Sequence, residues 1–302
     1  MARAPSLPLP AASAPAVDRF RLDGPTRHLD PRTHAVRADI ADAALAGLIF
    51  APHYAAPLPR AVAAAAATVR ASASATAPAV TQLAHGEGFA VLDVAGGWAW
   101  GYCLHDRYVG YVAEADLDLP PPPATHRIVS ATAPVFDRAD IKSAVARHLP
   151  FGSRLAGVAT GDFVACEAGF VHARHVLAID VREDVVTAAR RLIGLPYLWG
   201  GRGAGGIDCS GLVQVALAAA GVEAPRDSDQ QRSLGTALAG DAALAAGDLV
   251  FLPGHVGIMA DAETLVHANA WWMAVVAEPL AAVVARAGGG ADPIIARRRI
   301  AA

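Results

Sequence analysis

A cysteine stands at the start of an apolar segment that has the composition of a buried helix. The run GIDCSG, residues 206–211, leads into CSGLVQVALAAAG, which closes at Gly221. A cysteine in the first turn of a helix faces the positive end of the helix dipole and unpaired backbone N–H groups. This position is expected to lower the thiol pKa, to favour the reactive thiolate and to supply donors for an oxyanion. Cys209 is therefore predicted to be a nucleophile, against the alternative of a buried structural cysteine.

Two histidines downstream could supply the base that a nucleophilic cysteine needs. His255 lies in the run GHVG at the start of a predicted strand, and His267 lies in LVHAN on the next one. Their separation of twelve positions suffices for one hairpin that sets both imidazoles on the same face of a sheet. The first ring can then hydrogen-bond the thiol while the second holds the first in its correct tautomer. A single histidine is more often a satisfied interior residue, but the combination predicts a Cys–His–His catalytic set.

The elements that would position these residues fall in the last third of the chain. VREDVVTAARRLIGLPY, residues 181–197, has apolar residues at helical spacing and Gly194 near its end. After the cysteine helix come the predicted strands GDLVFL, HVGIMA, TLVHANA, MAVVAEP and PIIARRRI. Helices followed by an antiparallel meander predict an α+β domain.

The upstream sequence has a different character. Residues 1–17 are rich in Pro and Ala and are expected to form a mobile tail, and residues 39–50 are interpreted as a short helix or an extended arm. Alternating short strands, broken at Gly96-Gly97, predict a β-meander from about residue 60 to 120. Residues 120–123 are four prolines that form a stiff linker, and residues 126–180 repeat the strand pattern. The predicted domains are a tail and short helical arm (1–58), a first small β-barrel (59–122), a second (123–180) and the α+β domain (181–302).

Composition restricts the remaining functions. A formal net charge of −3 leaves no basic footprint for a nucleic-acid partner. Three widely spaced cysteines without a CxxC pair favour neither a disulfide framework nor a zinc ribbon and suit a reducing compartment. The proline-interrupted start does not resemble a secretory signal, and no uninterrupted apolar stretch is long enough to span a bilayer. A cytoplasmic protein with no cofactor and no membrane partner is expected.

Five motifs in the last third together resemble a known family. They are LPYLWGG (195–201), DCSG (208–211), PRDS (225–228), GDLVF (247–251) and GHVGI (254–258). In this order they are similar to the NlpC-type cell-wall cysteine peptidases, which have a papain-like core, and the resemblance covers about residues 182–300. The two upstream segments resemble the bacterial SH3-like domains that precede this core in the branch cleaving free murein peptides. The resemblance implies an α+β fold, with a papain-like cysteine peptidase domain preceded by two small SH3-like β-barrels.

That branch looks like γ-D-glutamyl-L-diamino acid endopeptidases of cell-wall peptide recycling. The implied substrate is a murein peptide, L-Ala-γ-D-Glu-diamino acid, with a free N-terminal L-Ala and with diaminopimelate or Lys as the diamino acid. Carried over by position, the resemblance makes Cys209 the nucleophile, His255 the base and His267 the orienting third residue.

The substrate-binding residues are also implied by the resemblance. Tyr197 would stand beside the nucleophile and Trp199 would form a wall of the cleft. Asp208 is expected to support the helix start, and Ser210 to line the site. The remaining residues would hold the ammonium of L-Ala: Asp227 and Ser228 from the PRDS motif, and Glu87 and Tyr108 from the first SH3-like domain.

Simpler interpretations of these residues stay open. Asp227 and Ser228 could only cap the following helix, Glu87 could be an ordinary turn residue, and Tyr108 could lie on the barrel surface. Arg226 could contact substrate or brace its loop. Trp271 and Trp272 could form a cleft lip or pack in the core.

Three other functions compete with the peptidase. One is a wall-binding module with an inactive core, and another is an amidase or acyltransferase on the same scaffold. A metal site built from the cysteine and the two histidines is the third, but no fourth ligand stands at a characteristic spacing. The sequence does not indicate an oligomeric state.

Overall fold

The computed structural model describes residues 29–288 and 292–300, and the predicted tail over residues 1–17 lies outside them. The described chain is mostly β, with four α-helices. None of these helices is both long and apolar enough to cross a membrane.

The segment before the first barrel is an extended arm. Strand β1 (Ile40–Asp42) pairs in parallel with β2 (His53–Ala55), and a single 3₁₀ turn lies between them. Asp42 caps this turn by accepting a hydrogen bond from the N–H of Ala44. Residues 39–50 are thus mainly extended, and the predicted short helix is represented only by this 3₁₀ turn.

The first β unit is a seven-stranded sheet in the order β5-β4-β8-β7-β6-β3-β9. Its hairpin between β6 and β7 turns at Gly96 and Gly97, which both have positive φ and so favour glycine. A buried cluster that includes Leu83, Phe89 and Val112 forms its core. The strands are β3 (Leu58–Val62), β4 (Ala66–Arg70), β5 (Ala79–Ala84), β6 (Gly88–Ala95), β7 (Trp98–Cys103), β8 (Val109–Ala113) and β9 (Leu117–Asp118).

The second β unit has its own core but a divided sheet. Residues 120–123 are exposed and carry neither strand nor helix. Three strands form one sheet in the order β13-β10-β17, and five form another in the order β12-β11-β16-β15-β14. The second SH3-like barrel therefore stays a prediction, although strands fill its range. They are β10 (His126–Ile128), β11 (Thr132–Phe136), β12 (Val145–Pro150), β13 (Arg154–Leu155), β14 (Gly157–Thr160), β15 (Phe163–Cys166), β16 (Gly169–His172) and β17 (Val176–Ala178).

The last unit packs a buried helix on an antiparallel sheet of order β18-β23-β19-β20-β21-β22. Nearly every residue of α2 is buried, as its apolar composition on all sides requires. The helices are α1 (Val185–Arg190), α2 (Cys209–Ala219), α3 (Ser228–Gln231) and α4 (Leu280–Gly288). The strands are β18 (Thr236–Ala237), β19 (Leu249–Leu252), β20 (His255–Met259), β21 (Thr264–Asn269), β22 (Ala274–Pro279) and β23 (Ala296–Arg299).

Two elements of this unit differ from the prediction. Helix α1 ends at Arg190, well before residue 197, and a turn leads to Gly194 with φ of 90°. Helix α4 was not predicted, although Leu280, Val283 and Val284 stand at helical spacing; only Val283 among its residues is buried. This helix matters below because it carries Arg286.

The first β unit lies directly against the last one. Arg202 donates to the backbone oxygen of Gln82 at 2.8 Å, and Arg226 donates to Thr81 at 2.9 Å. Gly200 has a positive φ of 76°, and a Cβ there would meet the backbone oxygen of Ala79 at 3.0 Å. These contacts place the first unit beside the start of α2.

Candidate active site

Cys209 is the first residue of α2, and the residue before it caps the helix. Asp208 Oδ1 accepts a hydrogen bond from Gly211 N at 2.7 Å, and its Oδ2 accepts one from Gly200 N at 2.8 Å. The buried guanidinium of Arg226 balances this carboxylate, with Nη2 2.6 Å from Oδ2. Asp208 thus supports the helix start, as the sequence predicted.

Arg226 is itself 1% exposed. Besides Asp208 it donates to Ser210 Oγ at 2.8 Å and to Thr81 Oγ1 at 2.9 Å. All of these partners belong to the protein framework. Of the two interpretations of Arg226, the bracing role fits these contacts.

The surroundings of the Cys209 thiol do not favour the thiolate. The residue is 8% exposed. Burial, and then the carboxylate of Asp208, raise the pKa of the thiol to about 11, and hydrogen bonds with the backbone of Val256 and Ser210 offset this only in part. The expectation that the helix start lowers the pKa is wrong for this structure, because burial and the capping carboxylate outweigh the helix terminus. The resting thiol is neutral at pH 7.

The two histidines meet as the sequence predicted. His255 opens β20 and His267 lies on the neighbouring strand β21, with His255 Nε2 2.7 Å from His267 Nδ1. Their rings are nearly perpendicular, with centroids 5.0 Å apart. Burial, followed by the neighbouring imidazole of His267, lowers the pKa of His255 to about 4. His255 is therefore neutral at pH 7, and its Nδ1 is the nitrogen that His267 leaves free.

The cysteine and the first histidine stand on adjoining elements. Helix α2, which begins at Cys209, packs on β20, which begins at His255. Within the described chain no hydrogen bond joins the sulfur to the His255 ring. Hydrogen bonds between catalytic groups are often long before substrate binds, so this geometry is compatible with a Cys–His pair.

Behind His267 lies a charged pair that the sequence reasoning missed. Glu278 Oε1 is 2.8 Å from His267 Nε2, and Arg286 Nη2 is 2.6 Å from the same oxygen. Glu278 is the one charged residue of strand β22, MAVVAEP in the sequence, which pairs with the strand of His267. That isolated carboxylate was the available signal, but its partner Arg286 sits on the unpredicted helix α4.

A cleft with a volume of about 290 Å³ opens beside the nucleophile. Trp199 forms part of its wall and is 70% exposed. Tyr197 is half-buried close by, and burial, followed by the charges of Cys209 and Asp208, raises its pKa to about 12. The full lining is Val80, Tyr108, Trp199, Asp208, Cys209, Ser210, Asp227, Ser228, Asp229 and Gly254.

Asp227 also lines this cleft. Tyr108, which is buried, donates its hydroxyl hydrogen to Asp227 Oδ2 at 3.0 Å, so it does not lie on the barrel surface. Asp227 is the N-cap of α3 by position, yet its side chain makes no capping hydrogen bond. Ser228 begins α3 and lines the same cleft. The structure thus brings together three of the four residues predicted to hold an ammonium.

The fourth, Glu87, lies elsewhere. It is 6% exposed and forms a buried ion pair with Arg202, with Oε2 2.6 Å from Nη1. Burial raises the pKa of Glu87, but the charge and hydrogen bonds of Arg202 outweigh it and lower the pKa to about 2. The prediction that Glu87 closes the cleft is wrong, because its buried carboxylate is already paired and does not line the cleft.

Asp227 is paired not with Glu87 but with a cation from the N-terminal arm, Arg32. Arg32 Nη1 lies 2.8 Å from Asp227 Oδ2 and 2.9 Å from Asp229 Oδ1. Its other N–H groups bind Asp30 and the second oxygen of Asp229. The sequence reasoning missed Arg32, because nothing local shows that the arm returns to a site almost 200 residues away.

Trp271 and Trp272 lie on the surface, not in the core. They are 68% and 55% exposed, in the turn between β21 and β22. Trp272 Nε1 donates to Glu278 Oε1 at 3.2 Å, and Arg286 stacks 5.3 Å from the ring centre of Trp271. Core packing is therefore the wrong interpretation of this pair.

The described residues contain no group of three or more His, Cys, Asp or Glu side chains arranged to hold a metal ion.

Comparison with known proteins agrees with this arrangement. Residues 194–282 match the NlpC/P60 family, and residues 69–117 match the family described as the bacterial dipeptidyl-peptidase SH3 domain. The chain contains an NlpC/P60 domain preceded by a dipeptidyl-peptidase SH3 domain, which confirms the resemblance drawn from the sequence motifs.

Several curated proteins match the NlpC/P60 part. A probable endopeptidase of Corynebacterium glutamicum (strain R) is 40% identical over 105 residues, which cover 34% of this chain and 49% of that protein. A γ-D-glutamyl-L-lysine dipeptidyl-peptidase of Bacillus subtilis (strain 168) is 34% identical over 93 residues, covering 28% and 31%. The matches span less than half the length of these relatives.

Solved structures share the fold over a longer stretch. An NlpC/P60 family protein from Bacillus cereus ATCC 10987 aligns with a TM-score of 0.68 and 19% identity, covering 80% of this chain and 99% of that one. An NlpC/P60 endopeptidase from Photobacterium damselae subsp. piscicida aligns with a TM-score of 0.52 and 13% identity, covering 79% and 70%. At these identities the likeness shows the fold alone.

Proposed function

We propose that this protein is a cysteine endopeptidase that hydrolyses the bond between γ-D-Glu and the L-diamino acid of murein peptides with a free N-terminal L-Ala. The observation that carries the proposal is one cleft lined by both Cys209 and the Asp227 carboxylate. The names of the curated relatives, which include endopeptidases and a γ-D-glutamyl-L-lysine dipeptidyl-peptidase, support the same class of substrate.

Charge at the Asp227 end suits an ammonium group. Three carboxylates, Asp30, Asp227 and Asp229, face one guanidinium there, so the cluster keeps a net negative charge. All five N–H donors of Arg32 are paired with these carboxylates, so Arg32 has no donor left for a substrate carboxylate. Asp227 Oδ1 has no hydrogen-bond partner among residues 29–288 and 292–300, so it can accept from the L-Ala ammonium.

The chemistry starts from a neutral thiol and a neutral imidazole. As Sγ of Cys209 attacks the γ-carbonyl carbon of D-Glu, its proton passes to Nδ1 of His255 and a C–S bond forms. Amide N–H groups at the start of α2 receive the oxyanion. The intermediate collapses by breaking the C–N bond, and His255 returns the proton to the leaving amine. Water then loses a proton to His255 and attacks the thioester carbon, forming a C–O bond. The C–S bond breaks, the sulfur takes the proton back from His255, and L-Ala-D-Glu is released.

Mass spectrometry of products from L-Ala-γ-D-Glu-L-Lys and its diaminopimelate counterpart tests the proposal. The unaltered protein should release L-Ala-D-Glu, and Cys209→Ala should abolish the reaction. Cys166→Ser, a half-buried cysteine of the second β unit, is the matched control and should keep full activity. Turnover by Cys209→Ala would refute the mechanism.

N-acetylation of the substrate separates this proposal from an amidase or acyltransferase, because an enzyme that needs the free ammonium should lose most activity on the acetylated peptide. Binding to purified sacculi without any cleavage would favour a wall-binding module with an inactive core. The recycling role and the cytoplasmic location belong to the same proposal, and fractionation of cells with an antibody to the protein tests the location.

A further inference from the structure

A carboxylate contacts His267, the second of the two histidines, through the ring nitrogen that does not face His255. Glu278, near the end of β22, places Oε1 2.8 Å from His267 Nε2. Arg286 from α4 holds both oxygens of this carboxylate, with Nη2 2.6 Å from Oε1 and Nη1 3.1 Å from Oε2. The side chain of Glu278 is only 12% exposed, so water competes little for these contacts.

The ionised state of Glu278 follows from its partners. Burial raises the pKa of this carboxyl, but hydrogen bonds from Arg286 and His267 outweigh burial and lower it below its usual range. An ionised carboxylate has acceptors only, so the proton between Glu278 and His267 must reside on His267 Nε2.

One proton position then determines the next. With Nε2 protonated, the neutral ring of His267 can only accept at Nδ1, so the 2.7 Å contact requires that His255 Nε2 donate. The neutral ring of His255 then carries its lone pair at Nδ1. Asn269 Nδ2 also lies 3.1 Å from His267 Nε2, but two donors cannot hydrogen-bond each other, so this contact is not part of the chain.

We propose that Glu278, held by Arg286, is a positioning residue that fixes the tautomers of His267 and His255 and so makes His255 Nδ1 the base. This inference rests on the proposed function only in that Cys209 is the group whose proton the base accepts. Glu278 touches neither substrate nor sulfur and acts through the two rings. When His255 becomes an imidazolium during the reaction, the aligned chain also places a negative charge where it stabilises that cation.

Nitrogen-15 NMR of the full chain labelled in histidine tests the tautomers without any turnover. The side-chain signals of residues 255 and 267 are assigned with His255→Gln and His267→Gln. In the unaltered protein at pH 7 both rings should be protonated at Nε2. A His267 ring protonated at Nδ1 would overturn the inference, whether or not the protein cleaves any peptide.

Glu278→Gln provides the second arm, with Glu263→Gln, an exposed carboxylate of the same sheet's hairpin, as matched control. The amide removes the requirement for a proton on His267 Nε2, so the ring signals should shift and kcat should fall roughly tenfold to a hundredfold with little change in KM. Unchanged tautomers and unchanged kcat in Glu278→Gln would refute the positioning role. If the unaltered protein shows the expected tautomers but cleaves no murein peptide, the proposed function fails and the positioning role stands.

Discussion

In the proposed function, the cleft has a bond-breaking end at Cys209 and His255 and a recognition end at Asp227. The two differ in whether their side chains are neutral or charged. At the bond-breaking end, Cys209 is buried, His255 is half-buried and both are neutral at pH 7, because burial raises the pKa of the thiol and lowers that of the imidazole. At the recognition end, Asp227 is partly exposed and ionically paired with Arg32. In the proposed function, charge therefore selects the substrate, whereas the reacting pair becomes charged only when the proton moves.

The strongest way to break this comparison is to remove the base. His255→Gln keeps a polar side chain but offers no basic nitrogen, so kcat should fall by roughly 10³-fold, within the range for loss of a general base. Steady-state kinetics on L-Ala-γ-D-Glu-L-Lys measures it. His148→Gln, an exposed histidine of the second β unit, should have no effect. Activity within tenfold of the unaltered protein would assign the base to another group.

Removing the charge at the recognition end should act on the free-amine substrate alone. Asp227→Asn loses a charged hydrogen bond of about 1.5–3 kcal/mol, so kcat/KM for the free peptide should drop roughly tenfold to a hundredfold. The small residual rate on the N-acetylated peptide should not change. Asp241→Asn, at an exposed carboxylate that does not line the cleft, is the control. An equal loss on both peptides would mean that Asp227 supports the fold and not recognition.

Substitution of Glu87 should lower the stability of the fold without changing substrate preference. Glu87→Gln leaves Arg202 buried without its charge partner, so the free energy of unfolding should fall by about 3–5 kcal/mol. Chemical denaturation followed by circular dichroism measures this, with exposed Glu167→Gln as the control. Preference for the free amine over the acetylated peptide should persist in the folded variant. Lost preference at unchanged stability would restore Glu87 to the recognition site.

The smallest expected effect concerns Arg32. Arg32→Ala leaves Tyr108 as the remaining donor to Asp227 Oδ2 and leaves three neighbouring carboxylates unbalanced. The Asp227 carboxylate then loses part of its fixed orientation, so KM for the free peptide should rise about two- to fivefold, as expected for a partly exposed ion pair. Arg32→Lys keeps the charge, so its KM should lie between that of the unaltered protein and that of Arg32→Ala. A fall in KM would show instead that the arginine competes with the substrate ammonium.

Local patterns predicted the parts of the site that neighbouring residues determine. The GIDCSG run and the apolar segment after it specified the capped start of α2, and the spacing of His255 and His267 specified one hairpin. Tyr108 was correctly placed through the family resemblance and meets Asp227.

The parts of the site that were not predicted depend on contacts between residues far apart in the sequence. Glu87 has no sequence feature that separates a cleft carboxylate from a buried one, and its partner Arg202 lies 115 residues away. Arg32 reaches Asp227 across 195 residues. The thiol's protonation also escaped prediction, since the helix-terminus rule is local whereas burial depends on everything packed around Cys209.

The most direct test of the neutral pair is the rate at which iodoacetamide alkylates Cys209 between pH 5 and 11, followed at the peptide level by mass spectrometry with Cys166 as internal reference. Only the thiolate reacts, so the rate should stay low through neutral pH and rise towards a pKa of about 11. A plateau already reached at pH 6 would show a resting thiolate and contradict the account of the bond-breaking end.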